Sequence, residues 1–215
     1  MNERDMAAAS NNEGRGMLIV VSSPSGGGKG TLIRRALKAI PELGYSVSYT
    51  TRSRREGEVE GIHYHFVLPE VFAQMQAKGD FLETARVHGN FYGTAYSETE
   101  RVLTRGRDVI LEIDVQGAES VRRAVAEAVS VFILPPSFQV LAERLTARGS
   151  EQPPDLELRL RNARAEVERY REFDYVVLND EVEAASQRLA SIIIAERARR
   201  GRQEDLAQRV LTTFT

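Results

Sequence analysis

At 215 residues, with 42% hydrophobic and 28% charged side chains, the chain has the apolar stock for one compact domain with inserts, or for two small ones. A formal net charge of -2 argues against a general polyanion binder, and zero cysteines exclude disulfides and thiolate metal sites, which suits a reducing cytoplasm. No apolar run approaches a membrane span and the N-terminus has no signal-peptide core, so neither a membrane nor nucleic acid is an expected partner.

Residues 1–16 are small, polar and glycine-containing, and read as a disordered tail before a domain running from 17 to 215. After it, apolar runs alternate with amphipathic stretches, the pattern of βα units on a parallel sheet. The spacing predicts buried strands over 18–22, 109–113, 129–134 and 175–178, and helices over about 31–40, 116–127, 138–148, 156–171 and 183–199. Pro135-Pro136 closes the third strand, and Ser137 is placed to cap the helix that follows. Residues 45–105 differ: their strands are shorter and more polar, with aromatic and histidine alternation in Ile62-His63-Tyr64-His65-Phe66. They are expected to form an inserted mixed or antiparallel lobe. The breaker cluster from Arg148 to Asp155 is expected to be mobile, within a small lid over 147–159. The core is then 17–44, 106–146 and 160–215.

The run Ser22-Ser23-Pro24-Ser25-Gly26-Gly27-Gly28-Lys29-Gly30-Thr31 follows the first apolar strand directly and opens a helix. Glycines let backbone N–H groups converge on an anion, the helix N-terminus adds its positive dipole end, and Lys29 adds a full charge. That is a cradle for the phosphates of a nucleoside triphosphate, formed by Ser23, Pro24, Ser25, Gly26, Gly27, Gly28, Lys29, Gly30 and Thr31. Two positions depart from the usual pattern. Ser23 stands where it begins with Gly, and Gly30 takes the slot of the hydroxyl that holds Mg²⁺, with Thr31 the nearest substitute. Lysine occurs only at 29, 38 and 78 in an arginine-rich chain, so its presence in this loop carries some weight.

Downstream, Thr50-Thr51-Arg52-Ser53-Arg54-Arg55-Glu56-Gly57-Glu58 leads into Gly61 and Tyr64-His65-Phe66, and Gly89-Asn90-Phe91-Tyr92-Gly93-Thr94 follows. Arg52 and Arg55, three apart in a loop, can converge on one phosphate with bidentate contacts. Together with the phosphate loop, these segments resemble the guanylate kinase family over about residues 17–200. The resemblance implies a phosphate-loop nucleoside monophosphate kinase fold: an α/β parallel-sheet core, an inserted GMP-binding lobe and a lid. It implies ATP as phosphoryl donor with Mg²⁺, and GMP, with dGMP beside it, as acceptor.

Residue by residue, the resemblance assigns the acceptor phosphate to Arg52, Arg55, Tyr64 and Tyr92. It assigns the guanine base to Glu83, with Ser48, Thr94 and Asp114. Guanine presents N1–H and a 2-amino group, two adjacent donors that one carboxylate accepts together; adenine lacks the pair. Arg144, Arg148 and Arg159 match the lid arginines and, with Lys29, Arg52 and Arg55, form the catalytic set. Asn179-Asp180 matches a segment near the adenine. Glu112 and Asp114, two apart at a strand end, face the same way. Relatives commonly have Asp at the first position, and with Gly30 lacking a hydroxyl, Mg²⁺ is expected to be held mainly by phosphates and water, without a direct protein ligand.

Two other readings compete: a related phosphate-loop kinase with another acceptor, and a non-enzymatic guanylate-kinase-like interaction domain. The second needs no intact phosphate loop with its lysine, yet both are present. His63 and His65 lack a third ligand at metal-binding spacing.

Overall fold

The computed structural model describes residues 14–87, 89–147 and 153–214, with 153–155 as backbone only. A five-stranded sheet runs through the centre, built from β1 (Leu18–Ser22), β2 (Gly44–Tyr45), β7 (Val109–Glu112), β8 (Val129–Leu134) and β9 (Tyr175–Leu178) in the order β2-β7-β1-β8-β9. Every pairing in it is parallel.

Alternation along β1 explains the layering. Ile19 and Val21 project to one face, where α1 (Lys29–Ala39) and α7 (Val182–Arg197) cover them with Leu32, Ile33, Ala36, Leu189 and Ile193. Leu18 and Val20 project to the other, against Ala118 and Val121 of α4 (Val115–Ala124) and Leu103 of α3 (Tyr96–Leu103). Because both faces are covered, β1, β7 and β8 read as continuous apolar runs; edge strand β9 keeps such a run although Val176 and Leu178 are exposed. For 18–22, 129–134 and 175–178 the predicted bounds match those observed.

The inserted lobe is a four-stranded mixed sheet of order β4-β3-β6-β5, from β3 (Tyr49–Thr50), β4 (His65–Phe66), β5 (Phe81–Val87) and β6 (Asn90–Ala95). β3 and β4 pair in parallel, and the other pairings are antiparallel. Helix α2 (Pro69–Lys78) lies on it through Phe72, whose ring stacks on Phe81 at 4.5 Å and Phe91 at 5.6 Å. Gly93 makes this stack possible, since a Cβ there would stand 2.9 Å from the Phe81 ring and 3.1 Å from Phe72.

Several sequence expectations shift. Gly44–Tyr45 belongs to the core sheet, so the insert leaves the core one residue later than Tyr45. In the alternating run 62–66, only His65–Phe66 is strand, because residues 61–63 form a turn. His63 accepts from the Val59 N–H at 3.0 Å, and His65 meets Glu60 and stacks on Tyr49. Arg15 and Gly16, counted with the tail, are tied down: Arg15 pairs with Glu100, and the Gly16 N–H donates to the Leu103 carbonyl at 2.9 Å. The rest of the expected tail, 1–13, lies outside the described residues.

Helix α5 (Phe138–Ala147) has Ser137 as cap, its hydroxyl accepting from the Val140 N–H at 3.1 Å. Helix α6 (Pro153–Glu168) starts at the prolines expected to break it, since proline is tolerated in a first helical turn. Arg159 is therefore inside α6 rather than at its opening. The remainder of the breaker cluster, residues 148–152, lies outside the described residues. α5 and α6 share a small apolar cluster of Leu141, Leu145 and Ala163, apart from the main core. The chain ends in α8 (Glu204–Leu211).

Candidate active site

The phosphate loop sits at the C-terminal end of β1, where ligands bind in open parallel sheets. Gly26 and Gly28 have φ of 84° and 86°, the left-handed region that favours glycine. The Gly27 N–H donates to the Pro24 carbonyl at 2.9 Å, closing the turn, and the Ser23 hydroxyl donates to the same carbonyl. Gly28 is the N-cap of α1 and no side chain caps it, so the dipole end faces outward beside Lys29 and Gly30.

Three contacts from elsewhere hold this loop. The Asn179 amide, 2% exposed, donates Nδ2–H to the Gly27 carbonyl at 2.8 Å. Leu145 packs on Gly26, where a Cβ would come within 2.9 Å of Leu145 Cγ. Glu166 on α6 accepts from the Ser25 N–H at 3.0 Å. Asn179 thus has a place at the phosphate loop itself, and Glu166 had no signal in the sequence, being 141 residues from its partner.

Lys29 and Ser25 line a cleft of about 240 Å³ that extends to the inserted lobe, where Ser48, Arg52, Arg55, Tyr64, Glu83, Tyr92 and Asp114 face it. Arg159 reaches it from α6. Ten of the residues expected at the site therefore share one cavity. Thr94 stands directly behind: its hydroxyl donates to Glu83 Oε1 at 2.7 Å, across the β5–β6 register that pairs the two. Arg144 lies behind the phosphate loop, donating to the Asn179 carbonyl at 3.1 Å, while its Nη1 is buried with no hydrogen-bond partner. Arg148 lies outside the described residues.

Glu58 organises the arginine loop. It takes both guanidinium nitrogens of Arg52, at 2.7 and 3.0 Å, and the backbone N–H of Arg55 at 2.8 Å. The Arg52 guanidinium also lies 5.4 Å from the Tyr64 ring centroid. The hydrogen bond from Arg52 holds the Glu58 carboxyl below the ordinary carboxylate range. Its signal was the carboxylate of the Gly57-Glu58 pair within the arginine motif, read there as pattern rather than as an anchor. Tyr64 is pushed up to about 12, chiefly by burial and then by Glu112, and stays a neutral hydrogen-bond donor.

Glu83 is 5% exposed, and burial pushes its carboxyl up to about 7. It approaches α4 through Gly117, where a Cβ would sit 2.6 Å from Glu83 Oε2. The same Gly117 donates its N–H to Asp114, the N-cap of α4, at 2.9 Å. Gly117 carries no chemistry of its own, so nothing in the sequence pointed to it.

At the opposite wall, Glu112 is in register with Val21, next to the phosphate loop. A Cβ at Gly30 would come 3.1 Å from Glu112 Oε1, so the missing side chain at 30 leaves room for the longer carboxylate at 112. The Thr31 hydroxyl, expected as the nearest substitute for the one missing at 30, accepts from Arg34 at 3.3 Å. Among the described residues no cluster of three or more acidic or histidine ligands exists. Two carboxylates beside a phosphate cradle suit Mg²⁺, which keeps several waters and substrate oxygens in its shell.

A phosphate loop at the C-terminal end of a parallel sheet, facing across one cleft to a basic pocket and a buried carboxylate on an inserted lobe, defines a phosphate-loop nucleotide kinase. The guanylate kinase family model matches residues 15–196. Guanylate kinases of Agrobacterium fabrum and Chelativorans sp. are 45% and 47% identical over 193 residues, each covering 89% of this chain and 88% of the relative. The crystal structure of guanylate kinase from Anaplasma phagocytophilum superposes with a TM-score of 0.76 at 33% identity, over 94% of this chain and 96% of that one. This chain belongs to the guanylate kinase family, nucleoside monophosphate kinases that phosphorylate GMP with ATP. No helix among the described residues is long and apolar enough to cross a membrane.

Proposed function

We propose that the cleft holds GMP, with dGMP as a further acceptor, the base at Glu83 and the phosphate end directed at the ATP cradle. The observation that carries this is the single cavity joining Lys29 to a buried carboxylate. Guanine's N1–H and 2-amino group satisfy Glu83 in its ionised form, and Thr94, Ser48 and Asp114 complete the polar wall. A nucleobase without those donors leaves a buried carboxylate unpaired, and sites of this kind reject such analogues by roughly 10⁴–10⁵.

Arg52, Arg55, Tyr64 and Tyr92 receive the acceptor phosphate; Glu58 fixes Arg52 in advance, so little ordering remains to be done on binding. The acceptor oxygen is already anionic near neutral pH, and no general base is needed. The transferred group moves from ATP, seated on residues 23–31, to that oxygen. Lys29 and Arg159 line the same cleft from the loop and from α6, and the family resemblance adds Arg144 and Arg148 to this cationic set. Their work is alignment and neutralisation of spreading charge. Glu112 and Asp114 line the cleft where they would hold the water shell of a Mg²⁺ bound together with ATP, and such an ion would supply further charge neutralisation. A cytoplasmic setting suits a cysteine-free chain that draws on nucleotide pools.

Coupled ADP release measured across GMP, dGMP, AMP, CMP and UMP tests the reading. GMP and dGMP are expected to turn over and the others to fall far behind. AMP exceeding GMP overturns the base assignment, and no turnover with any acceptor returns the chain to a binding module.

A further inference from the structure

Helix α6 touches the phosphate loop at a point that the chemistry above does not use. Glu166, half-buried, accepts from the Ser25 N–H at 3.0 Å. Ser25 itself lines the cleft, whereas the carboxylate reaches it from the helix side. Burial pushes this carboxyl up, and the Ser25 N–H and the Lys29 charge draw it back down. One turn earlier, Ala163 is fully buried against Leu141 and Leu145, and Leu145 in turn supports Gly26. The helix therefore meets the loop directly at Ser25 through a hydrogen bond and indirectly at Gly26, through Leu145 of α5.

Arg159 precedes Glu166 by seven residues, two helical turns, which places both on the same face about 10.5 Å apart along the axis. Arg159 lines the cleft together with Ser25 and Lys29. With α6 held to the loop side at Glu166 and Ala163, the position of Arg159 at its other end follows the position of the loop. We propose that Glu166 is a positioning residue: it registers α6 against the phosphate loop, so that Arg159 arrives over the transferred group only when the loop is in its phosphate-holding shape. This rests on the assignment of Arg159 to the reaction. The loop side of the contact is a backbone N–H, so the required feature at 166 is an acceptor of the right reach, with charge secondary.

Three variants separate this from simple loop capping. Glu166→Gln keeps an acceptor oxygen at the same reach, Glu166→Met keeps the bulk and loses the acceptor, and Arg159→Ala removes the group through which Glu166 acts. In steady-state turnover of ATP and GMP by the full chain, Glu166→Met is expected to lower kcat about tenfold or more, the scale of small misplacements at a reacting centre, with KM for GMP within about twofold. Glu166→Gln is expected to stay near the unsubstituted chain. In the Arg159→Ala background, Glu166→Met is expected to cost less than about twofold, because coupled residues are non-additive. Unaltered kcat in Glu166→Met, failure of Gln to preserve activity, or an equal loss with Arg159 absent overturns the proposal. Full activity of Arg159→Ala alone would instead remove the Arg159 assignment. Melting temperatures of all variants, read beside the kinetics, show whether a loss reflects unfolding: a Met variant that melts with the unsubstituted chain and still turns over slowly supports positioning.

Discussion

A carboxylate taken out of water needs donors, and among the described residues Thr94 supplies them to Glu83 through its hydroxyl and its backbone N–H. Burial still pushes the carboxyl from its ordinary 4.5 up to about 7, with Asp114 adding to the rise. Since the folded value lies above the unfolded one, protonated Glu83 stabilises the fold at acid pH, and that contribution is lost as pH rises through about 7. Guanine reverses the balance, because its two donors require the ionised form. GMP affinity should therefore rise as pH climbs from about 5.5 to 7.5 and then level off. Glu83→Gln removes this part of the dependence and lowers affinity most at the alkaline end, where the carboxylate it replaces is ionised. The phosphate's own second ionisation near about pH 6 acts in both proteins, so the difference between their KM(GMP)–pH profiles isolates the carboxylate. Parallel profiles would show that Glu83 does not titrate in this range. Nothing in the sequence indicated this residue's burial: Phe81-Leu82-Glu83-Thr84 reads equally well as a surface strand, and only the family pattern singled Glu83 out. The β5–β6 register shifts between Phe81 and Glu83, and the bare backbone of Gly117 leaves room for the buried carboxylate.

Among elements, the β5–β6 hairpin and α2 form the unit that presents Glu83, Tyr92 and Thr94, and its packing turns on Gly93. The aromatic layer of Phe72, Phe81 and Phe91 lies on one side, and on either side of Gly93 in sequence stand two residues of the base and phosphate pockets. Gly93→Ala forces a methyl within about 3 Å of two ring edges, an overpacking that typically costs about 1–3 kcal/mol. The expected result is a lower melting temperature and a raised KM for GMP, with KM for ATP unaltered because the phosphate loop belongs to the other sheet. An equal rise in both constants would show that the inserted lobe is not an independent unit. These elements were also the least legible in the sequence. Four of the five core strands announced themselves as continuous apolar runs. β2, β3 and β4 have two residues each, too short for any periodicity, and are strands only because a neighbour pairs with them. Contacts that tie one element to another, Glu166 to Ser25 or Asn179 to Gly27, join positions 141 and 152 apart and leave no local trace.

Across the whole molecule, the cationic groups expected to surround the transferred phosphoryl group come from separate pieces of chain: Lys29 from the core, Arg52 and Arg55 from the inserted lobe, Arg159 from α6. Like charges gathered around one cleft repel, and the two nucleotides supply the negative charge that allows them to converge. Closure should therefore need both substrates, which also keeps water from competing with GMP for the phosphoryl group. The chain has no cysteine, so two introduced thiols label cleanly. Ala77→Cys on α2 and Asn162→Cys on α6 are exposed and outside the cleft. With a donor–acceptor dye pair at these sites, transfer efficiency is expected to rise modestly with GMP alone or with a non-hydrolysable ATP analogue alone. It should rise further with both, by more than the sum of the separate changes. A response to both ligands equal to that sum would mean that the lobes move independently, and an unchanged distance would mean that the cationic groups already stand at their working separation before substrate arrives.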